Sequence, residues 1–368
     1  MKVLLAPDKF KGSLTARQVC DAMSEGIRLA IPDAEIIALP MADGGEGTAE
    51  VLTQATGGQW IRVQVQDPLG RPVEADYGLS NRTAFIEMSQ ASGLRLLQRA
   101  ELDPLNTHTF GTGQLIRDAM LRGANHIVLG IGGSATNDAG TGMAAALGWR
   151  FLNSGGEEIA PNGGNLHQIR TILPPAEPLA ATVEVACDVT NPLYGPDGAA
   201  FIYGPQKGAG PKEVEHLDRG LRHFADIILR QFGVDLAHRP GAGAAGGLGA
   251  GALFFLHATL KEGVRLVMEQ TGFSARLTGV DLVLTGEGKI DRQTLQGKLI
   301  KGVALNASEA GIPAVALCGT LEAEPDEITA LGLRAAFSVL NRPQTLDEAL
   351  SSAYEAVRRT TFNVIRLL

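Results

Sequence analysis

The sequence predicts an α/β protein with a doubly wound parallel sheet, interrupted by a region of different construction. Three observations predict it. Both ends of the chain alternate short apolar runs with helical patterns. Glycine-rich turns stand where several of those runs end. Beyond Gly58, apolar runs follow one another through tight turns with no helical pattern between them.

Residues 2–6 read as a buried strand. Thr15 with Gln18 three residues on makes a capping box, and Val19, Met23, Ile27 and Ala30 follow at helical spacing. Residues 35–39 read as a second strand, and Asp43-Gly44-Gly45-Glu46-Gly47-Thr48 opens a helix reaching Thr56. The strands expected at 60–65, 73–79 and 84–88 are joined by Pro68-Leu69-Gly70-Arg71 and Asn81-Arg82, which makes them antiparallel. A helix over 113–122 leads to a strand at 126–130, a glycine-rich turn and a helix ending near Leu147. Residues 183–187 and 199–203 read as strands. Pro211 falls in the first turn of a helix reaching Phe232, and another long helix is expected over 252–270. The α/β rhythm then returns, with strands at 281–285, 314–318 and 335–339 and a helix over 293–310. The capping box Thr345-Leu346-Asp347-Glu348 opens the last helix. The two ends resemble each other and the middle does not. This predicts a discontinuous domain, 1–60 with 270–368, carrying an inserted mixed α/β domain, 61–269. A continuous division near residue 200 is the alternative.

Charge and composition exclude some classes of function. The 368 residues carry a formal charge of −8 and no block of basic residues, which argues against nucleic acid as the partner. Cys20, Cys187 and Cys318 lie far apart, which suits a reducing compartment rather than a disulfide framework or a thiolate zinc site. The opening MKVLLAPDKF is too short an apolar run for a signal peptide, and no run approaches a membrane span. A cytoplasmic protein is expected.

Gly130-Ile131-Gly132-Gly133-Ser134-Ala135 follows a strand and fits the dinucleotide pattern G-x-G-x-x-G/A. Two features weaken that reading. The next strand ends in Asn153, not in an acid that would hold a ribose, and Gly241-Ala242-Gly243-Ala244-Ala245-Gly246 matches the same pattern with no strand before it. Gly288-Lys289-Ile290 and Gly297-Lys298-Leu299 lack the Ser or Thr of a P-loop, and no protein-kinase His-Arg-Asp or Asp-Phe-Gly is present. What remains is a seat for an anion. Gly132, Gly133 and Ser134 are expected to offer backbone N–H groups at the start of the following helix. Asp43 and Glu46 stand among glycines in a similar turn, suiting Mg²⁺ held against phosphate; glycine-rich turns with Asx caps are the plainer alternative.

Among polar residues, Asp188 ends the apolar run 183–187, where it can act as a general base or metal ligand, or cap the Asn191-Pro192 turn. Glu287 and Asp291 carry the same ambiguity at another strand end. Lys9 and Lys11 flank a turn after the first strand, and Lys207 lies among turn formers; each suits an anionic substrate, and a solvated loop lysine is the alternative for Lys207. The seven histidines form no metal-binding pair, no Gly-x-Ser-x-Gly elbow occurs, and Cys187 lies in an apolar strand where a thiol is inert.

Taken together, seven motifs in order resemble the type-1 glycerate kinase family. They are residues 6–14 (APDKFKGSL), 42–48 (ADGGEGT), 132–138 (GGSATND), 187–193 (CDVTNPL), 204–209 (GPQKGA), 241–247 (GAGAAGG) and 285–288 (TGEG). The resemblance implies ATP-dependent phosphorylation of D-glycerate with Mg²⁺, giving 2-phosphoglycerate. It also implies two α/β domains, one discontinuous and flavodoxin-like, with the active site in the cleft between them. The partner is then a small molecule, with neither nucleic acid nor membrane; a homodimer is compatible with it. Roles follow from residue chemistry. Backbone N–H groups of Gly132, Gly133 and Ser134, with Asn137, are expected to hold ATP phosphates. Asp43, Glu46 and Asp291 are expected to hold Mg²⁺. Asp188 would accept the hydroxyl proton, Lys11 and Lys207 would neutralise carboxylate and migrating phosphoryl, and Lys9, Ser13 and Asn191 would bind the acceptor. The rival readings are a 3-phosphoglycerate-forming kinase, a nicotinamide-dependent hydroxy-acid oxidoreductase, and a nucleotide- or anion-binding regulator.

Overall fold

A computed structural model describes residues 1–291, 294 and 298–367. In chain order its strands are β1 (Lys2–Pro7), β2 (Glu35–Ala38), β3 (Gln59–Gln66), β4 (Pro72–Ser80), β5 (Thr83–Glu87), β6 (His126–Gly130) and β7 (Arg150–Leu152). They continue with β8 (Thr171–Leu173), β9 (Thr182–Ala186), β10 (Thr259–Lys261), β11 (Leu282–Ile290), β12 (Ala314–Leu321) and β13 (Ala335–Ser338). The chain divides into two compact units, Met1–Asp43 with Val264–Leu368, and Gly44–Gly263.

In the first unit all strands are parallel, in the order β13-β12-β11-β1-β2. Val3 to Pro7 and Leu282 to Gly286 are buried without alternation, as expected of strands covered on both faces. The helix Ala16–Ala30 turns Val19, Cys20, Met23 and Ile27 inward, and Thr15 and Gln18 close the capping box at its start. The chain leaves β1 toward β2 and returns on the other side through β11. The order therefore reverses between β1 and β11, and the strand ends diverge there into a crevice.

The second unit has a six-stranded sheet, β10-β9-β6-β5-β4-β3. β3, β4 and β5 are the expected antiparallel meander. Beyond them the sheet turns parallel through β6, β9 and β10, because the helix Phe110–Leu121 carries the chain back across the sheet between β5 and β6. The middle of the chain thus holds a parallel half that its antiparallel start did not announce.

Other differences from the sequence reading have local causes. Residues 199–203 form a short helix, Ala199–Tyr203, rather than a strand; Ala199 and Ala200 face the core while Phe201 and Ile202 are exposed. The long helix expected over 252–270 is broken. His257 adopts φ 50, the chain enters β10 to pair with β9, and a separate helix runs over Gly263–Thr271. Helix Thr48–Ala55 belongs to the second unit, where the Glu87 carboxylate accepts from Gly47 N–H (2.9 Å) and Ala49 N–H (3.0 Å) at its start. The expected helix over 293–310 is described as Lys298–Glu309, and its first residues lie outside the described ones. Pro211 stands at the first turn of Pro211–Phe232 as expected. Among the described residues no helix is long and apolar enough to cross a membrane.

Candidate active site

In the first unit the functional side chains gather at the C-terminal ends of β1 and β11. Asp8 follows β1 immediately. Its N–H donates to Gly286 O (2.8 Å) and its Oδ1 accepts the backbone N–H of Lys9 (2.7 Å). With Lys9, Lys11, Ser13, Asp43 and Glu287 it lines a pocket of about 450 Å³. Burial, then the neighbouring Asp43, push the Asp8 carboxyl up to about 7, with Glu287 adding to the effect and Lys9 opposing it. Burial likewise raises Glu287, against the hydrogen bond that Thr294 Oγ1 gives its Oε1 (2.8 Å). Carboxylates whose charge is disfavoured are hard oxygen donors that a cation would relieve, so Asp8 and Glu287, with Asp43 lining the same pocket, fit Mg²⁺. Among the described residues no set of three or more His, Cys, Asp or Glu is arranged as a metal cage. Mg²⁺ commonly takes one or two carboxylates plus substrate phosphates, so a complete protein cage is not what its chemistry asks for.

Two expected residues here do other work. Asp291 is paired with Lys289 Nζ (3.1 Å), an ion pair that a metal at the expected site would have to compete with. Ser13 Oγ donates to Phe10 O (3.0 Å) and shapes the 10–14 turn while still lining the pocket.

The second unit presents backbone rather than side chains. Gly132 and Gly133 are exposed on a turn beyond β6, with Gly133 at φ 71. None of the described residues accepts a hydrogen bond from the N–H groups of Gly132, Gly133 or Ser134. The acceptors of the same stretch are satisfied: Leu94 N–H donates to Gly133 O (2.9 Å) and Thr107 Oγ1 to Ala135 O (2.9 Å). This turn is not the start of the next helix, as expected, because Thr141–Ala146 begins seven residues after Ser134. A carboxyl group of the chain already occupies that helix start. Asp138, wholly buried, accepts from Gly140 N–H (3.1 Å), Gly142 N–H (3.1 Å) and both the N–H (2.8 Å) and hydroxyl (2.7 Å) of Thr109. Burial holds its carboxyl above the usual range, and these hydrogen bonds oppose the shift.

Residues 245–247, at φ 54, 71 and 85, wrap the inner side of this turn. A side chain on Gly246 would place its Cβ 1.9 Å from Thr136 O, so only glycine fits. Ser134 Oγ donates to Ala245 O (3.2 Å). Lys207 enters the same buried place: it is 1% exposed, and its Nζ donates to Thr136 O (2.5 Å) and Ser134 Oγ (3.2 Å). The sequence reading put Lys207 on the migrating phosphoryl; the structure buries it beneath the turn. Asn137, expected on the phosphates, is also fully buried, and neither polar atom of its amide has a partner among the described residues.

The turn 44–47 lies over the ends of β6 and β9. A Cβ on Gly132 would sit 3.6 Å from Gly45 Cα, and one on Gly44 would sit 3.1 Å from Ala186 Cβ. Glu46 is exposed in that turn; burial raises the Glu87 carboxyl, the Ala49 and Gly47 N–H groups oppose this, and the Glu46 charge adds to the rise. Asp188 is exposed just past β9, its Oδ1 accepting from Gly263 N–H (3.0 Å). Asn191 is occupied internally: its Nδ2 donates to Asp197 O (2.8 Å) and its Oδ1 accepts from Tyr203 (2.7 Å), so it builds the 191–198 turn and is not positioned for an acceptor molecule. β7 pairs antiparallel with β8 in a separate small sheet, whereas a dinucleotide unit would place its second strand beside the first.

A family model described as the glycerate kinase family matches residues 3–368. The chain belongs to the glycerate kinase family. Family relatives include a glycerate kinase of Halalkalibacterium halodurans, 47% identical over 98% of this chain and 97% of its own. The glycerate 2-kinase of Escherichia coli K12 is 43% identical over 100% and 98%. A crystal structure from Salmonella typhimurium LT2, assigned as glycerate kinase 2, superposes with a TM-score of 0.91 at 46% identity, over 100% of this chain and 98% of that one.

Two residues of the candidate site escaped the sequence reading. Asp8 stands directly before Lys9, the first of the two lysines that were singled out. Glu87 ends a strand as Asp188 does, and that same signal would have found it.

Proposed function

We propose that this glycerate kinase family member transfers the γ-phosphoryl group of MgATP to the 2-hydroxyl of D-glycerate, releasing ADP and 2-phospho-D-glycerate. The observation that carries the reading is the Gly132-Gly133-Ser134 turn at a parallel strand end, exposed at its two glycines, whose three N–H groups have no acceptor among the described residues. Such groups suit phosphoryl oxygens. In this reading the turn holds phosphate. One or two carboxylates from among Asp43, Glu46, Asp291, Asp8 and Glu287 hold Mg²⁺, which when bound neutralises phosphate charge. Asp188 takes the acceptor proton, and Lys9, Lys11 and Ser13 meet the anionic substrate. The strand order of the first unit supports a flavodoxin-like domain formed by both ends of the chain, with the middle inserted. The proposed setting is the cytoplasm, and light scattering would tell a monomer from a homodimer.

A coupled assay tests the reaction. ADP release that depends on D-glycerate is expected, with no change in nicotinamide absorbance. ATP binding without turnover on any small hydroxy acid would instead indicate a regulator.

A further inference from the structure

We infer that Lys207 is a positioning residue for the phosphate-binding turn, holding its acceptor side inward so that the N–H groups of Gly132, Gly133 and Ser134 stay without an acceptor among the described residues. The inference rests on the proposed phosphate seat. Its geometry is a one-sided arrangement of dipoles. The Lys207 ammonium draws Thr136 O and Ser134 Oγ into the interior, and Ser134 Oγ in turn reaches Ala245 O. Gly133 O and Ala135 O are held by Leu94 and Thr107. Every acceptor named here is tied to the protein, and the three donors are left for a ligand.

A buried ammonium is an unusual choice for this task. Burial pushes Lys207 down to about 7, with the Asp138 carboxyl opposing the shift. Near neutral pH the turn is therefore held by a group close to losing its proton. A neutral amine still donates to one acceptor, but it cannot hold Thr136 O and Ser134 Oγ with charge-assisted bonds. Phosphate affinity is thereby linked to the protonation of a residue that never touches the nucleotide.

Steady-state kinetics of the full chain with MgATP and D-glycerate test this, using Lys207→Met, which keeps the volume and removes the charge. We expect KM for ATP to rise by about tenfold with KM for glycerate unchanged. KM for ATP in the parent protein should increase from pH 6 to pH 9, and the variant should lose this pH dependence. Gly133→Val probes the turn itself. If it leaves KM for ATP unchanged, the phosphate seat is wrong and the inference falls with it. If Gly133→Val weakens ATP and Lys207→Met does not, or if Lys207→Met raises both KM values equally, the seat stands and the role of Lys207 is wrong. Should Lys207→Met fail to fold, Ser134→Ala decides: a rise of about threefold in KM for ATP supports the inference and no change overturns it.

Discussion

In the first unit Asp8, Asp43 and Glu287 bring carboxylates to a pocket at the ends of parallel strands, where burial raises Asp8 and Glu287. In the second unit the charged groups Lys207 and Asp138 lie beneath the surface, and what faces outward at the Gly132-Gly133 turn is peptide N–H. Carboxylates can meet a metal ion directly. Buried charges can only shape the backbone that meets the ligand. The comparison teaches that a charged residue inside a glycine-rich motif need not touch substrate, while an acid beside an ordinary strand can.

The largest effect expected is at Asp188. Asp188→Asn keeps an oxygen for Gly263 N–H, so the fold should persist, and kcat should fall by about 10²–10⁴. Near-normal turnover would remove Asp188 from the chemistry. The backbone claim comes next. Gly133→Val puts a β-branched side chain at φ 71 and should raise KM for ATP by about tenfold or more, whereas Thr136→Ala, fully buried, should change it by less than about threefold. Equal effects would mean that side chains, not N–H groups, hold the phosphate. For the first unit, Asp8→Asn should raise the Mg²⁺ concentration at half-maximal rate by about tenfold and leave KM for ATP at saturating Mg²⁺ nearly unchanged.

The smallest effect is on stability. Lys207 falls from an ordinary 10.5 to about 7 on folding, so between those values the unfolded chain binds more protons and stability rises with pH. Denaturant titrations at pH 7 and pH 9 should show that rise in the parent protein and a smaller one in Lys207→Met. An identical slope in both would mean that the ammonium is not desolvated.

Much of the fold was legible because it is written in local pattern. The Thr15 and Thr345 capping boxes and Pro211 mark helix starts that the structure keeps. Reading failed where tertiary pairing decides between equals. Residues 199–203 form an apolar run of five, which suits strand or helix alike. Residues 259–261 leave the helical pattern because β9 offers an open edge. At the site, strand-end glycines and acids located the right loops, but burial is not visible in sequence. Asn137 and Lys207 were therefore assigned outward when they are buried, Asn191 when its amide is spent on Asp197 and Tyr203, and Asp8 was passed over although its desolvation makes it the most perturbed carboxylate of its pocket.

Phosphorus NMR of the product formed from MgATP and D-glycerate tests the central claim most directly. The account predicts a 2-phosphoglycerate resonance growing in step with ADP. A 3-phosphoglycerate resonance alone would contradict the proposed acceptor hydroxyl, and the absence of any phosphorylated product would contradict the reaction itself.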